Sequence, residues 1–128
     1  MTNTEIVKGS YDAFGRGDVA AALSPFAPDI DWAEADGSLY PGTFVGPEAV
    51  LKHVFFRFVT EWEGFAAAPT QFVAEGDTVV ALGRYVGTYR ATGKSIDVPF
   101  AHIWTMKDGK AVRFRQHTDT AVIRRVLE

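Results

Sequence analysis

Residues Gly93–Asp119 read GKSIDVPFAHIWTMKDGKAVRFRQHTD, and this stretch decides the fold. Two strand-like runs, Ser95–Met106 and Lys110–Thr118, flank Lys107-Asp108-Gly109. An Asp-Gly pair between alternating runs predicts a tight hairpin, because Gly takes positive φ without a Cβ penalty. The polar side chains in these strands need a reason. His102 sits among Phe100, Ile103 and Trp104, and His117 and Asp119 close the second strand. Stability alone asks for neither imidazoles nor a carboxylate there, so the hairpin reads as the wall of a pocket.

The totals set bounds. A chain of 128 residues fits one domain, 1–128, able to bury roughly two-thirds of its unfolded surface. Aromatic residues make up 13%, with 10 Phe, which suits a thick core or an apolar cavity. A net charge of −3 leaves no electrostatic footprint for nucleic acid. The absence of cysteine excludes a disulfide framework, a thiolate nucleophile and Cys-ligated zinc. MTNTEIVKGS lacks the apolar stretch of a signal peptide, and no apolar run approaches the ~20 residues of a membrane span. The expectation is a cytoplasmic protein without membrane or nucleic-acid partners.

Upstream, Thr2-x-x-Glu5 has the form of a capping box, and Ile6, Val7, Ser10, Tyr11 and Phe14 follow one helical face. Tyr11 and Phe14 read first as core packing. Asp18 caps a short helix, Val19–Leu23, stopped by Pro25. Ile30 and Trp32 alternate with Asp31 and Ala33 in a short strand. Glu34 shares the parity of the apolar pair, so it faces inward if they do. Desolvation raises the pKa of such a carboxylate, which is how a general base near neutral pH is made. The other reading ends the strand at Ala33 and leaves Glu34 solvated. Ala35–Phe44 reads as a loop, with Tyr40 able to lean over a pocket mouth. Gly46-Pro47-Glu48 starts a helix whose stripe is Val50, Leu51, Val54, Phe55, Phe58, Val59 and Trp62. The rest is an antiparallel meander. Phe65–Ala74 contains Pro69 and reads as an edge or bulged strand. In Thr78–Arg90, Ala81, Gly83, Tyr85, Gly87 and Tyr89 share a face, small residues alternating with tyrosine as if to leave room above the sheet. Thr120–Leu127 is a terminal helix or tail. Helices first and strands after make an α+β fold.

Several motifs in order carry a resemblance: Tyr11-Asp-Ala-Phe-Gly-Arg-Gly-Asp18, Phe26-Ala-Pro-Asp29, Gly46-Pro-Glu-Ala49, Glu75-Gly-Asp-Thr-Val79, Thr92-Gly93 and Lys107-Asp-Gly-Lys110. Together they resemble the SnoaL-like branch of the nuclear-transport-factor-2-like superfamily, which also holds ketosteroid isomerase and limonene epoxide hydrolase. The resemblance implies a cone-shaped, curved antiparallel sheet wrapped on N-terminal helices, a cystatin-like α+β roll, with a deep apolar pocket and a homodimeric state. It implies that Asp119 matches the acid/base carboxylate of SnoaL-like polyketide cyclases and Glu34 the isomerase's general base. The isomerase's oxyanion-hole acid falls on Ala101 and its tyrosine on Ser10, which argues against steroid isomerisation.

Two functions stand side by side. One is a cofactor-independent cyclase or isomerase, or a hydrolase, acting on a small hydrophobic carbonyl compound. Its catalytic set is Asp119, Glu34 and His117, and its ligand-binding set Trp32, Tyr40, Phe14 and His102. The other is a non-catalytic small-molecule-binding or dimerisation module, in which Asp119 merely caps the last helix. His102, His117 and Asp119 lack paired metal-ligand spacing, so no metal and no cofactor is expected. Alternation puts Val112, Phe114, Gln116 and Thr118 on the apolar face and turns His117 and Asp119 outward; the resemblance turns Asp119 inward. For His102, packing within an aromatic face or a dimer interface is the competing reading.

Overall fold

A computed structural model describes residues 1–128. Helix α1 (Asn3–Gly15) starts at the expected capping box: Thr2 accepts from the Glu5 N–H, and Glu5 accepts from the Thr2 N–H. Asp18 accepts from the Ala21 N–H and so caps α2 (Val19–Leu23). Strand β1 (Phe26–Glu34) and the short β2 (Gly42–Val45) follow. β2 lies where a loop was expected; its four residues pair with the end of β1, Asp31 opposite Val45.

The next helical segment is not uniform. It runs as α3 (Pro47–Val50), a π-helical turn (Leu51–Phe55) and α4 (Phe56–Glu61). A π turn is wider than an α turn, so it changes the phase of the stripe. Val50, Val54 and Phe55 are buried as expected, whereas Val59 is 57% exposed. The helix also ends one residue early: Trp62 opens β3 (Trp62–Glu75).

β3, β4 (Thr78–Tyr89), β5 (Ser95–Lys107) and β6 (Lys110–Thr118) form the meander. The hairpin turn matches its sequence signal, with Asp108 at φ 51° and Gly109 at φ 75°. The sheet order is β2-β1-β6-β5-β4-β3, so β3 is an edge, and its register breaks between Pro69 and Gln71. Gly83 lies opposite that break, where a Cβ would come within 2.3 Å of the Ala68 carbonyl oxygen. The sheet is not purely antiparallel, because β1 and β6 run parallel, with Trp32 beside Phe114. The intervening helices and meander supply the long crossover that a parallel pair needs.

The helices cover one face of this curved, unclosed sheet. Val7, Val50 and Val54 meet Ile30, Val79, Met106 and Phe114 in the main core. The short α5 (Thr120–Arg124) and a 3-10 turn (Arg125–Leu127) bring Ile123 and Val126 against Trp62, Ile96 and Val98 in a second cluster. No helix is long and apolar enough to cross a membrane.

Candidate functional site

Alternation along the strands builds the site. On β5, Phe100, His102 and Trp104 face inward; on β6, Phe114 and Gln116; on β1, Trp32 and Glu34. Tyr85 of β4 joins them from the face that carries Ala81 and Gly83. Ser10, Tyr11 and Phe14 of α1 and Phe55 and Phe58 of the middle helix close the other side. Together they line a narrow cavity of about 40 Å³, partly open to solvent. A smaller chamber of about 20 Å³ adjoins it, sharing Glu34, Phe58, Phe65 and Tyr85 and adding Tyr40, Trp62 and Gln116.

Glu34 is the one acid in this wall. It is 5% exposed, and one carboxylate oxygen accepts from the Trp32 indole N–H at 3.2 Å. No protein donor reaches its other oxygen. Burial pushes its pKa up to about 8, and the Trp32 bond offsets only part of that. At neutral pH the carboxyl is therefore mostly protonated, with a working fraction ionised.

A polar chain crosses the cavity beside it. The Trp104 indole N–H donates to the Tyr11 hydroxyl oxygen at 2.9 Å, and that hydroxyl meets His102 Nδ1 at 2.5 Å. His102 Nε2 meets the Tyr85 hydroxyl. The Gln116 amide donates to the same Tyr85 oxygen at 3.0 Å, and its carbonyl end accepts from the Ala35 N–H at 2.9 Å. Burial, with a further contribution from the charge of His117, depresses the His102 pKa to about 3, so the ring is neutral. Burial raises the pKa of both tyrosines, and the charge of nearby Glu34 raises Tyr85 further.

Of the residues expected from sequence, Glu34, Trp32, Phe14 and His102 meet in the cavity. Tyr40 lies in the adjoining chamber, buried rather than at a mouth. Its hydroxyl donates to Glu61 and accepts from the Trp62 indole. Asp119 and His117 stand apart. The Asp119 carboxylate accepts from the Val122 N–H at 3.1 Å and caps α5, and both side chains are exposed. The expected pairing of Asp119 with Glu34 is not realised, because the register shift in β6 lies early, between Ala111 and Arg113, and alternation then runs unbroken from Arg113 to Thr118 with nothing to re-aim the strand end. Ser10, at the isomerase's tyrosine position, spends its hydroxyl on the Ala22 carbonyl.

Tyr11, Tyr85 and Gln116 were not singled out in sequence as functional. The signal for Tyr85 was the small-residue face of its strand. For Tyr11, His102 lies 91 residues away, so no local pattern reveals the pairing. No cluster of three or more His, Cys, Asp or Glu side chains stands ready for a metal ion.

Comparison with known proteins agrees with this architecture. The family of SnoaL-like domains matches residues 7–114. The structure is similar to an NTF2-like protein from Burkholderia thailandensis, 38% identical, with a TM-score of 0.97 over 100% of this chain and 98% of that one. It is similar to TerC, which was co-crystallised with polyporic acid: 32% identical, TM-score 0.86, covering 98% of this chain and 97% of that one. A protein of ketosteroid-isomerase-like fold from Catenulispora acidiphila, solved in complex with trimethylamine, shares the fold at 19% identity and TM-score 0.82, over 95% and 91% of the two chains. A search of curated proteins finds no match.

Proposed function

This chain belongs to the SnoaL-like domain family, and we propose that it is a cofactor-independent enzyme that moves a proton on a small hydrophobic carbonyl compound, as a cyclase or isomerase. The observation that carries this reading is Glu34: a lone acid in an aromatic cavity, its pKa raised to about 8 by burial. A general base works best when its pKa lies near the operating pH, and such proton transfer contributes typically about 10²–10⁴-fold. Ionised Glu34 takes a proton from the carbon beside the carbonyl and returns it from the carboxyl to another position. The co-crystallisation of the similar protein TerC with polyporic acid supports a small organic ligand for this chain.

The apolar outward face of the sheet, with Val80, Leu82, Ala101 and Ile103 half-exposed, supports a homodimer through that face. Sedimentation at micromolar concentration checks it, and a monomer there refutes it.

The catalytic proposal is tested with acetophenone in D2O, following loss of its methyl protons by NMR. Wild type is expected to exchange them faster than buffer, with a rate rising through pH 8, and Glu34→Gln is expected to lose the effect. Bound acetophenone that exchanges no faster than in buffer would refute catalysis and leave a binding protein.

A further inference from the structure

A count of protons in the polar chain leads further. His102 is 4% exposed and has only tyrosine hydroxyls as hydrogen-bond partners. A cationic ring there would be a buried charge with no counter-charge, so the imidazole is neutral and carries one N–H. Tyr11, His102 and Tyr85 thus bring one proton each to the two hydrogen bonds that join them. One proton is left over.

The leftover proton has a definite place. If Nε2 carries the N–H, it donates to Tyr85, while the Tyr11 hydroxyl donates to Nδ1. The Tyr85 oxygen then accepts from both His102 and Gln116, and its own O–H is uncommitted. If Nδ1 carries the N–H, the roles exchange. Tyr11 accepts from His102 and Trp104, and its O–H is free. Glu34 does not absorb the spare proton, because it accepts from Trp32 and from neither tyrosine. Both tyrosines line the cavity.

We infer that Tyr11, His102 and Tyr85 form a tautomer-switched relay that presents one free hydroxyl donor to the cavity, and that the site is therefore built for a ligand bearing a neutral carbonyl or enol oxygen. The inference rests on the reading of the cavity as a carbonyl site and adds the group that holds the oxygen. His102 is a positioning residue: its tautomer decides whether the donor stands at Tyr85, near Glu34, or at Tyr11. Trp104 and Gln116 fill the second acceptor site of each tyrosine, so neither can quench its own O–H. A neutral donor of this kind stabilises negative charge developing on the oxygen without a buried cation.

The test uses acetophenone and its hydrocarbon isostere α-methylstyrene as probes. Infrared difference spectra of bound acetophenone, labelled with ¹³C at the carbonyl, are expected to show the stretch below its position in hexane. Tyr11→Phe/Tyr85→Phe is expected to return it to the hexane position. A hexane-like stretch in wild type overturns the inference, as does binding of α-methylstyrene without acetophenone, or of neither. Nitrogen NMR of the wild-type His102 ring gives a check that no variant's folding can confuse. One protonated and one bare nitrogen at pH 6 are expected, and an imidazolium overturns the count. The same probe separates this inference from the catalytic one. A shifted stretch without methyl-proton exchange defeats catalysis and keeps the relay, and exchange with an unshifted stretch does the reverse.

Discussion

Replacing Glu34 with Gln is expected to stabilise the fold, and to do so only where the pH is high enough. The side chain keeps its shape, and an amide oxygen still accepts from Trp32. What disappears is the proton equilibrium. The pKa of Glu34 is raised from 4.5 to about 8 in the folded chain. Between those values the unfolded chain has released a proton that the folded chain still holds. Unfolding therefore releases a proton, and stability falls as pH rises through this window. Below pH 4.5 both states are protonated and the contribution is fully present. At about 1.4 kcal/mol per pH unit, wild type gives up on the order of 3 kcal/mol by pH 7 and about 5 kcal/mol once past pH 8. The glutamine variant gives up none of it. Urea denaturation of both proteins from pH 4.5 to pH 8.5 measures the difference, and all other titrating groups cancel between them. A gain that grows with pH is expected. A difference that stays flat would show that Glu34 titrates alike in both states, and the case for it as a base near neutrality would fall with it.

Other outcomes follow from the same geometry. The pKa of His102 is lowered from 6.5 to about 3, so its contribution is present above pH 6.5 and lost as pH falls toward 3; the opposing Glu34 titration cancels between wild type and His102→Asn, so the melting temperature of the variant should rise relative to wild type as pH falls from 6 to 4. Gly83→Ala would place a Cβ 2.3 Å from the Ala68 carbonyl oxygen and should cost about 1–3 kcal/mol by thermal melting. Gly9→Ala, on the exposed side of α1 with nothing within 4 Å, should instead gain about 0.5–1 kcal/mol. Asp119→Ala should lose about 1 kcal/mol of stability with its cap and leave acetophenone exchange unchanged, whereas an effect on exchange would return Asp119 to the reaction.

What was legible in the sequence was local. The Asp108-Gly109 turn, the capping box at Thr2 and the inward parity of Ile30, Trp32 and Glu34 all follow from neighbours a few residues apart. The burial of Glu34 could be read because strand alternation has one phase. Asp119 shows the same rule against a competing signal: alternation sent it outward, the resemblance sent it inward, and the backbone obeyed alternation. The parallel pairing of β1 with β6 and the His102 bonds to Tyr11 and Tyr85 join distant segments, and no periodicity encodes them. The π turn was hidden for a different reason, since its residues, Leu51–Phe55, are ordinary helix formers and only packing selects the wider turn.

The chain has three tryptophans, and all of them border the two chambers: Trp32 and Trp104 line the larger, Trp62 the smaller. The protein thus carries its own fluorophores where an occupant would dock. Trp32 and Trp104 stand edge to face, 5.6 Å between ring centroids, so one molecule settling beside either disturbs the emission of both. No tryptophan elsewhere adds a constant background. Intrinsic emission therefore reads occupancy directly, without a dye or a label, and lets a library of candidate small molecules be screened against the unmodified chain.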